Sequence, residues 1–169
     1  MKTSENQLLI ASKGNDLYLQ ALGHITANLC FPLRSMIMKR LSSFSQPFEI
    51  NIDLSETAYM DSTFLGIMVA LDKGLFAKLK THVYIVCPNE ISLKLLKNMR
   101  LDKVLNFKNE PIPQDLTFER FDDSIDIDEL EQLKIVLDSH DKLCELSEEN
   151  QKRFAPLCNI LKNQLAEKS

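Results

Sequence analysis

The side chains of this chain best placed to do chemistry are Asp61-Ser62-Thr63, with Asp53 closing the apolar run just upstream. A serine at the start of a helix lies beside the free N–H groups of the first turn. Its hydroxyl can cap them, and a phosphate added to it would sit where those groups and the helix dipole favour negative charge. Ser62 is therefore a candidate phosphorylation site read by a partner, the alternative being a plain N-cap. Thr63 is the neighbouring hydroxyl and reads as a packing or capping residue. Asp53 and Asp61 could form an acid pair or a metal site, but no third ligand is evident. An acidic strand end commonly meets loop N–H groups instead. The residues therefore point to no metal.

The other chemistry-bearing types are dispersed. His24, His82 and His140 stand isolated, with no Ser-His-Asp or Cys-His spacing. Cys30, Cys87, Cys144 and Cys158 are widely separated in apolar stretches and read as buried thiols in a reducing compartment. Only Gly14, Gly23, Gly66 and Gly74 occur, and no glycine-rich phosphate cradle is spelled. An enzyme is not expected, and no cofactor is implied. Lys94, Lys97, Arg100 and Lys103 read as an ordinary solvated face rather than a nucleic-acid site.

The elements that must position Ser62 alternate between strand and helix. Leu8–Ala11 and Leu17–Leu22 flank the turn residues Lys13-Gly14-Asn15-Asp16 as an antiparallel hairpin. Asn28 is placed to cap a helix through Leu29, Leu33, Ile37 and Leu41, with Pro32 near its first turn. Phe48–Leu54 returns to strand. A helix from Ser62 to about Lys80, a third β-rich run at 82–87, a helix at 91–99 and an edge strand at 104–107 follow. Strands joined by crossover helices predict an α/β fold: a mixed, largely parallel sheet covered by helices.

That core is expected to span residues 1–108. Residues 109–169 follow as a connector with Pro111 and Pro113 and then a helical extension. Leu130, Leu133, Leu137, His140 and Cys144 keep a 3-4-3-4 rhythm. That sticky face reads as packing on the chain's own core, or as contact with a partner or a second copy. The last segment has a capped, acidic start at Ser147-Glu148-Glu149, and Pro156 is expected to kink or divide it.

With 169 residues, 44% hydrophobic and 26% charged, the chain can bury one proper core and reads as soluble. Its net charge of −4 argues against broad attraction to nucleic acid or an anionic membrane. Met1–Gln7 carries no apolar segment of signal-peptide length, and no stretch approaches the roughly 20 apolar residues of a membrane span. A cytoplasmic protein is expected.

Around Met60–Gly66 the chain resembles the STAS family of bacterial anti-sigma factor antagonists, over roughly residues 7 to 108. The family has a strand ending in an aspartate, then Asp-Ser-Ser/Thr-Gly-Leu-Gly; Ile52-Asp53-Leu54 and Asp61-Ser62-Thr63-Phe64-Leu65-Gly66 stand in the matching places. Leu22-Gly23 before the first helix also fits. The resemblance implies a phosphorylation-controlled, partner-switching signalling module that regulates transcription. Ser62 would be phosphorylated by an anti-sigma factor that is also a serine kinase, the unphosphorylated form would bind that kinase, and a PP2C-type phosphatase would reset the cycle.

The implied partner surface comprises Asp61, Ser62, Thr63, Phe64, Leu65 and Gly66, with Thr26 and Asn28 on the first-helix approach and Asp53 shaping the site. Two departures stand out. Phe64 replaces the family's usual glycine, and Gly23-His24-Ile25-Thr26 replaces Gly-Glu-Leu-Asp, which removes an acidic contact at Thr26. Two competing readings are a fixed STAS scaffold or dimerisation module, in which Ser62 only caps, and a ligand-binding protein or enzyme built on Asp53 and Asp61.

Overall fold

The computed structural model describes residues 5–122 and 124–168; Met1–Ser4, at the head of the N-terminal stretch considered above, lie outside them. Strands β1 (Gln7–Lys13) and β2 (Asp16–Ile25) form the expected hairpin, with Lys13 opposite Asp16. A two-residue turn of that kind demands a positive φ, which Gly14 supplies at 61°. The chain continues through α1 (Ala27–Ser43), β3 (Ile50–Asp53), β4 (Thr57–Met60), α2 (Ser62–Leu79), β5 (Val83–Val86), α3 (Glu90–Asn98) and β6 (Asn106–Lys108). It then returns through β7 (Glu119–Arg120) and ends in α4 (Glu129–Cys144) and α5 (Glu148–Lys168).

The sheet runs β6-β5-β3-β2-β1-β7, with β4 pairing β2 beyond the end of β3. β1 is antiparallel to both neighbours, and the remaining pairs are parallel. This is the mixed, helix-covered sheet expected from the alternating pattern. Ile50, Ile52, Val83 and Ile85 fill the face that the helices cover, whereas on the other face the Lys108 ammonium donates to Asn51 Oδ1 at 3.0 Å and lies over the Tyr84 ring. Leu33, Ile37 and Leu41 of α1 and Leu71 and Leu75 of α2 join the same apolar core.

Several local expectations change. The α1 helix starts two residues ahead of the predicted start, so Thr26, not Asn28, holds the N-cap position and Pro32 falls beyond the first turn. The sequence pattern predicts no strand at β4. Its four residues carry no alternating apolar pattern, and their pairing is specified by tertiary contacts, among them the Thr57 hydroxyl donating to the Ala21 carbonyl at 2.7 Å. The short β7 lies within the irregular connector, where the Phe121 N–H donates to the Leu8 carbonyl at 2.8 Å. α5 continues through Pro156 as one helix of 21 residues.

The C-terminal hairpin is laid over the sheet's helical layer. α4 packs across α2, and α5 packs on α4. Ile127, Ile135, Leu143 and Phe154 enter the same hydrophobic cluster as the strands. A Cβ built on Gly66 would lie 2.2 Å from the Ser139 carbonyl oxygen, so the two helix backbones approach at a distance that only glycine permits.

Candidate functional site

β4 brings the second helix start against the first. Its parallel pairing with the end of β2 sets Met60 beside Ile25, with an irregularity at Gly23, which adopts φ 72°. The Asp61 N–H then donates to the Ile25 carbonyl at 3.0 Å. The Asp61 carboxylate accepts from two helix starts at once: the Phe64 N–H at 2.9 Å and the Ala27 N–H at 2.8 Å. Thr26, at the α1 N-cap, makes no side-chain cap bond of its own. One carboxylate therefore satisfies donors of both α1 and α2 and favours both positive helix ends. Asp61, rather than Ser62, is the α2 N-cap, and Ser62 is the first helical residue.

Freed from capping, the Ser62 hydroxyl has another partner. Its Oγ lies 2.8 Å from His140 Nε2 on α4. His140 Nδ1 lies 2.7 Å from the Val136 carbonyl, an acceptor only, so Nδ1 carries a proton, and in the neutral ring Nε2 accepts from Ser62. The imidazole is 2% exposed and meets the Phe154 ring edge-on at 5.1 Å. A serine donating to an oriented imidazole is the arrangement of an activated nucleophile. The ring is enclosed by α2, α4 and α5, while the Ser62 side of the pair is half-buried.

The remaining expected site residues separate by exposure. Thr26 and Asn28 are exposed, and Asp61 and Ser62 are half-buried. Thr63, Phe64, Leu65 and Gly66 are buried, with Phe64 only 1% exposed and part of the core, so the aromatic ring that stands in the glycine position fills space beneath the helix. The Asp53 carboxylate accepts from the Ser55 N–H at 2.8 Å, closing the loop that leads into β4. Asp53 and Asp61 thus each serve backbone donors, and among the described residues no cluster suited to a metal ion occurs.

Beneath the site, burial pushes the Cys30 thiol well above its ordinary range, and the nearby Asp61 carboxylate adds to the shift. Cys158 on α5 is pushed up to about 12, by burial first and then by Asp141 and Cys144. Both stay protonated at neutral pH and are poor nucleophiles. Cys87 and Cys144 are only partly buried, against the expectation of four buried thiols.

His140 is the site residue that sequence spacing did not bring to Ser62, from which it is separated by 78 positions. A signal was present in α2 itself. Residues 64–71 run without a charge, and a helix apolar on every side must be covered on every side.

The sequence matches no family model and no curated relative. The fold itself is that of a STAS domain. Solved structures share it: the anti-sigma factor antagonist SpoIIAA in its unphosphorylated form superimposes with a TM-score of 0.53 at 13% identity, over 61% of this chain and 89% of that one. An anti-sigma-factor antagonist (STAS) domain protein from Planctomyces limnophilus gives 0.51 at 12% identity, over 61% and 91%. Among the described residues no helix is long and apolar enough to cross a membrane.

Proposed function

We propose that this chain is an anti-sigma factor antagonist working by phosphorylation-controlled partner switching. In this reading Ser62 is the phosphoacceptor, the unphosphorylated form binds an anti-sigma serine kinase in the cytoplasm, and a PP2C-type phosphatase restores it. The chain acts by binding rather than by catalysis. The observation that carries the reading is a serine at the first position of α2, behind an aspartate that caps both helices, on a STAS fold. A phosphate adds roughly −1.5 to −2 charges at that point, beside Asp61, and alters docking without refolding the sheet.

The test is to isolate the protein with phosphatases inhibited, locate phosphate by tandem mass spectrometry, and compare wild type with Ser62→Ala in kinase capture. Phosphate on Ser62, with a serine kinase held by the unphosphorylated form and released by the phosphoform, is the expected result. A second reading, a STAS module with a fixed interface, is favoured by the engagement of the Ser62 hydroxyl with His140. It predicts an unmodified Ser62 and partners that do not change between conditions.

A further inference from the structure

We propose that the α4–α5 hairpin is a built-in occupant of the Ser62 face, which undocks as a unit and, while docked, withholds Ser62 from any kinase or partner. This regulation rests on the reading of Ser62 as phosphoacceptor. Its structural part stands on the geometry of one interface.

Three contacts define that interface along α2. The Ser62 hydroxyl bonds His140, Gly66 lies under the Ser139 backbone, and Lys73 pairs with Glu145. Positions 62, 66 and 73 recur at helical spacing, so one stripe of α2 faces α4, while Leu71 and Leu75 face the core and Phe76–Lys78 stay exposed. α4 is also tied to α1 by Arg34 with Asp138 at 3.5 Å and by the Ser35 hydroxyl with Glu131 at 3.4 Å. Ser62, half-buried, thus lies against a helix pair that makes no strand ladder to the sheet and is seated by the Gly66 contact, side-chain pairs and the Asn150 amide donating to the Met99 carbonyl at 2.9 Å.

The composition of the interface suits release. Of the four buried residues of α4, Ile135 and Leu143 join the apolar cluster, Ser139 and His140 are polar, and the flanking contacts include ion pairs. Interfaces that open resemble this mixture more than they resemble an apolar core. The Ser139 hydroxyl donates back to the Ile135 carbonyl at 2.7 Å and His140 is satisfied by Val136 on one side, so α4 carries most of its polar partners with it when it leaves. The segment from 109 to 128 supplies the tether, with β7 its only strand among the described residues.

Phosphate and docked hairpin exclude each other. A phosphorylated Ser62 brings three acceptor oxygens and their hydration to a point where the present oxygen abuts a ring that is 2% exposed. In this reading undocking precedes phosphorylation, and the phosphate then opposes redocking of α4.

Hydrogen–deuterium exchange on the full chain tests this. Gly66→Ala is the informative variant: alanine strengthens α2 as a helix but puts a methyl group into the Ser139 backbone. Gly74→Ala is the control in the same helix, since a Cβ there meets only the end of the Leu41 side chain, at 3.1 Å. Gly66→Ala and Ser62→Glu are expected to accelerate exchange in α4 and α5 about tenfold or more, with β3 and β5 as protected as in wild type and Gly74→Ala unchanged. Hairpin exchange equal to wild type, or loss of strand protection in step with it, overturns the proposal.

Should Gly66→Ala fail to fold, wild type at low denaturant decides: hairpin amides opening before those of β3 and β5 support release, and a single common opening overturns it. Phosphorylation of Ser62 separates the two levels of the reading. A releasable hairpin with Ser62 never modified removes the switch and leaves the occupant. A modified Ser62 under a hairpin that opens only with the whole molecule does the reverse.

Discussion

The sheet and the C-terminal hairpin bury side chains by different rules. In the centre of the sheet Ile50, Ile52, Val83 and Ile85 are enclosed and backbone ladders tie each strand to the next. In α4 the enclosed positions are Ile135, Ser139, His140 and Leu143, and its attachment adds to the apolar contacts of Ile135 and Leu143 a glycine contact and side-chain pairs. Apolar burial is non-directional and tolerates small displacements, whereas a hydroxyl-to-imidazole bond exists in one geometry and is lost when either partner moves. The sheet is held by ladders and apolar burial and the hairpin by a more directional seat, with Ser62 at the boundary.

The sharpest way to break this contrast is at the centre of the sheet. Ile52→Ala is expected to cost about 2–5 kcal/mol and to shift the urea midpoint of every probe together, since a cavity there weakens all the elements that pack on it. A midpoint change confined to the hairpin would contradict the division. Next in size is Asp61→Ala, which leaves N–H donors of two helices without their acceptor. A loss of about 1–3 kcal/mol is expected, with faster amide exchange at the starts of both α1 and α2. If only α2 responds, the shared cap is not energetically shared.

His140→Ala sharpens the other side of the comparison. It removes the acceptor for Ser62 and the ring against Phe154, and is expected to loosen α4 and α5 while the strands keep their protection; segment-resolved exchange reads this directly. The thiols follow. Because Cys30 and Cys158 titrate above their unfolded values, the native state holds protons that the unfolded chain releases above about pH 8.5. Stability is therefore fully present below that pH and declines as pH rises beyond it, visible as a falling melting temperature. Native alkylation should label Cys87 ahead of Cys30 and Cys158. Smallest is Lys73→Ala: its pair with Glu145 is about half exposed on each side, and the expected loss is about 0–1 kcal/mol, near the limit of a melting experiment.

Legibility in the sequence followed the range of the interactions. The β1–β2 hairpin was readable because Gly14 and the flanking runs are a local signal, and the α2 start was readable from a polar triplet before an apolar helix. The role of each residue in that triplet was not. Whether Asp61 or Ser62 caps depends on where β4 lies, and β4 has only four residues whose pairing is specified by β2. Asp53 reads the same from either side, as a carboxylate serving its own loop, because its partner Ser55 is two residues away. Phe64 could be assigned to the core or to the surface only once α2 was seated.

By itself the sequence determined an α/β sheet with a mixed strand order, a helix beginning at Ser62 and an amphipathic C-terminal pair, since each follows from propensity and periodicity within a few turns of chain. Only the tertiary structure decided that α4 covers α2, that Asp61 caps two helices and that His140 takes the Ser62 hydroxyl. Those contacts join segments 34 and 78 residues apart, and spacing along the chain carries no information about which distant faces meet once the loops have closed.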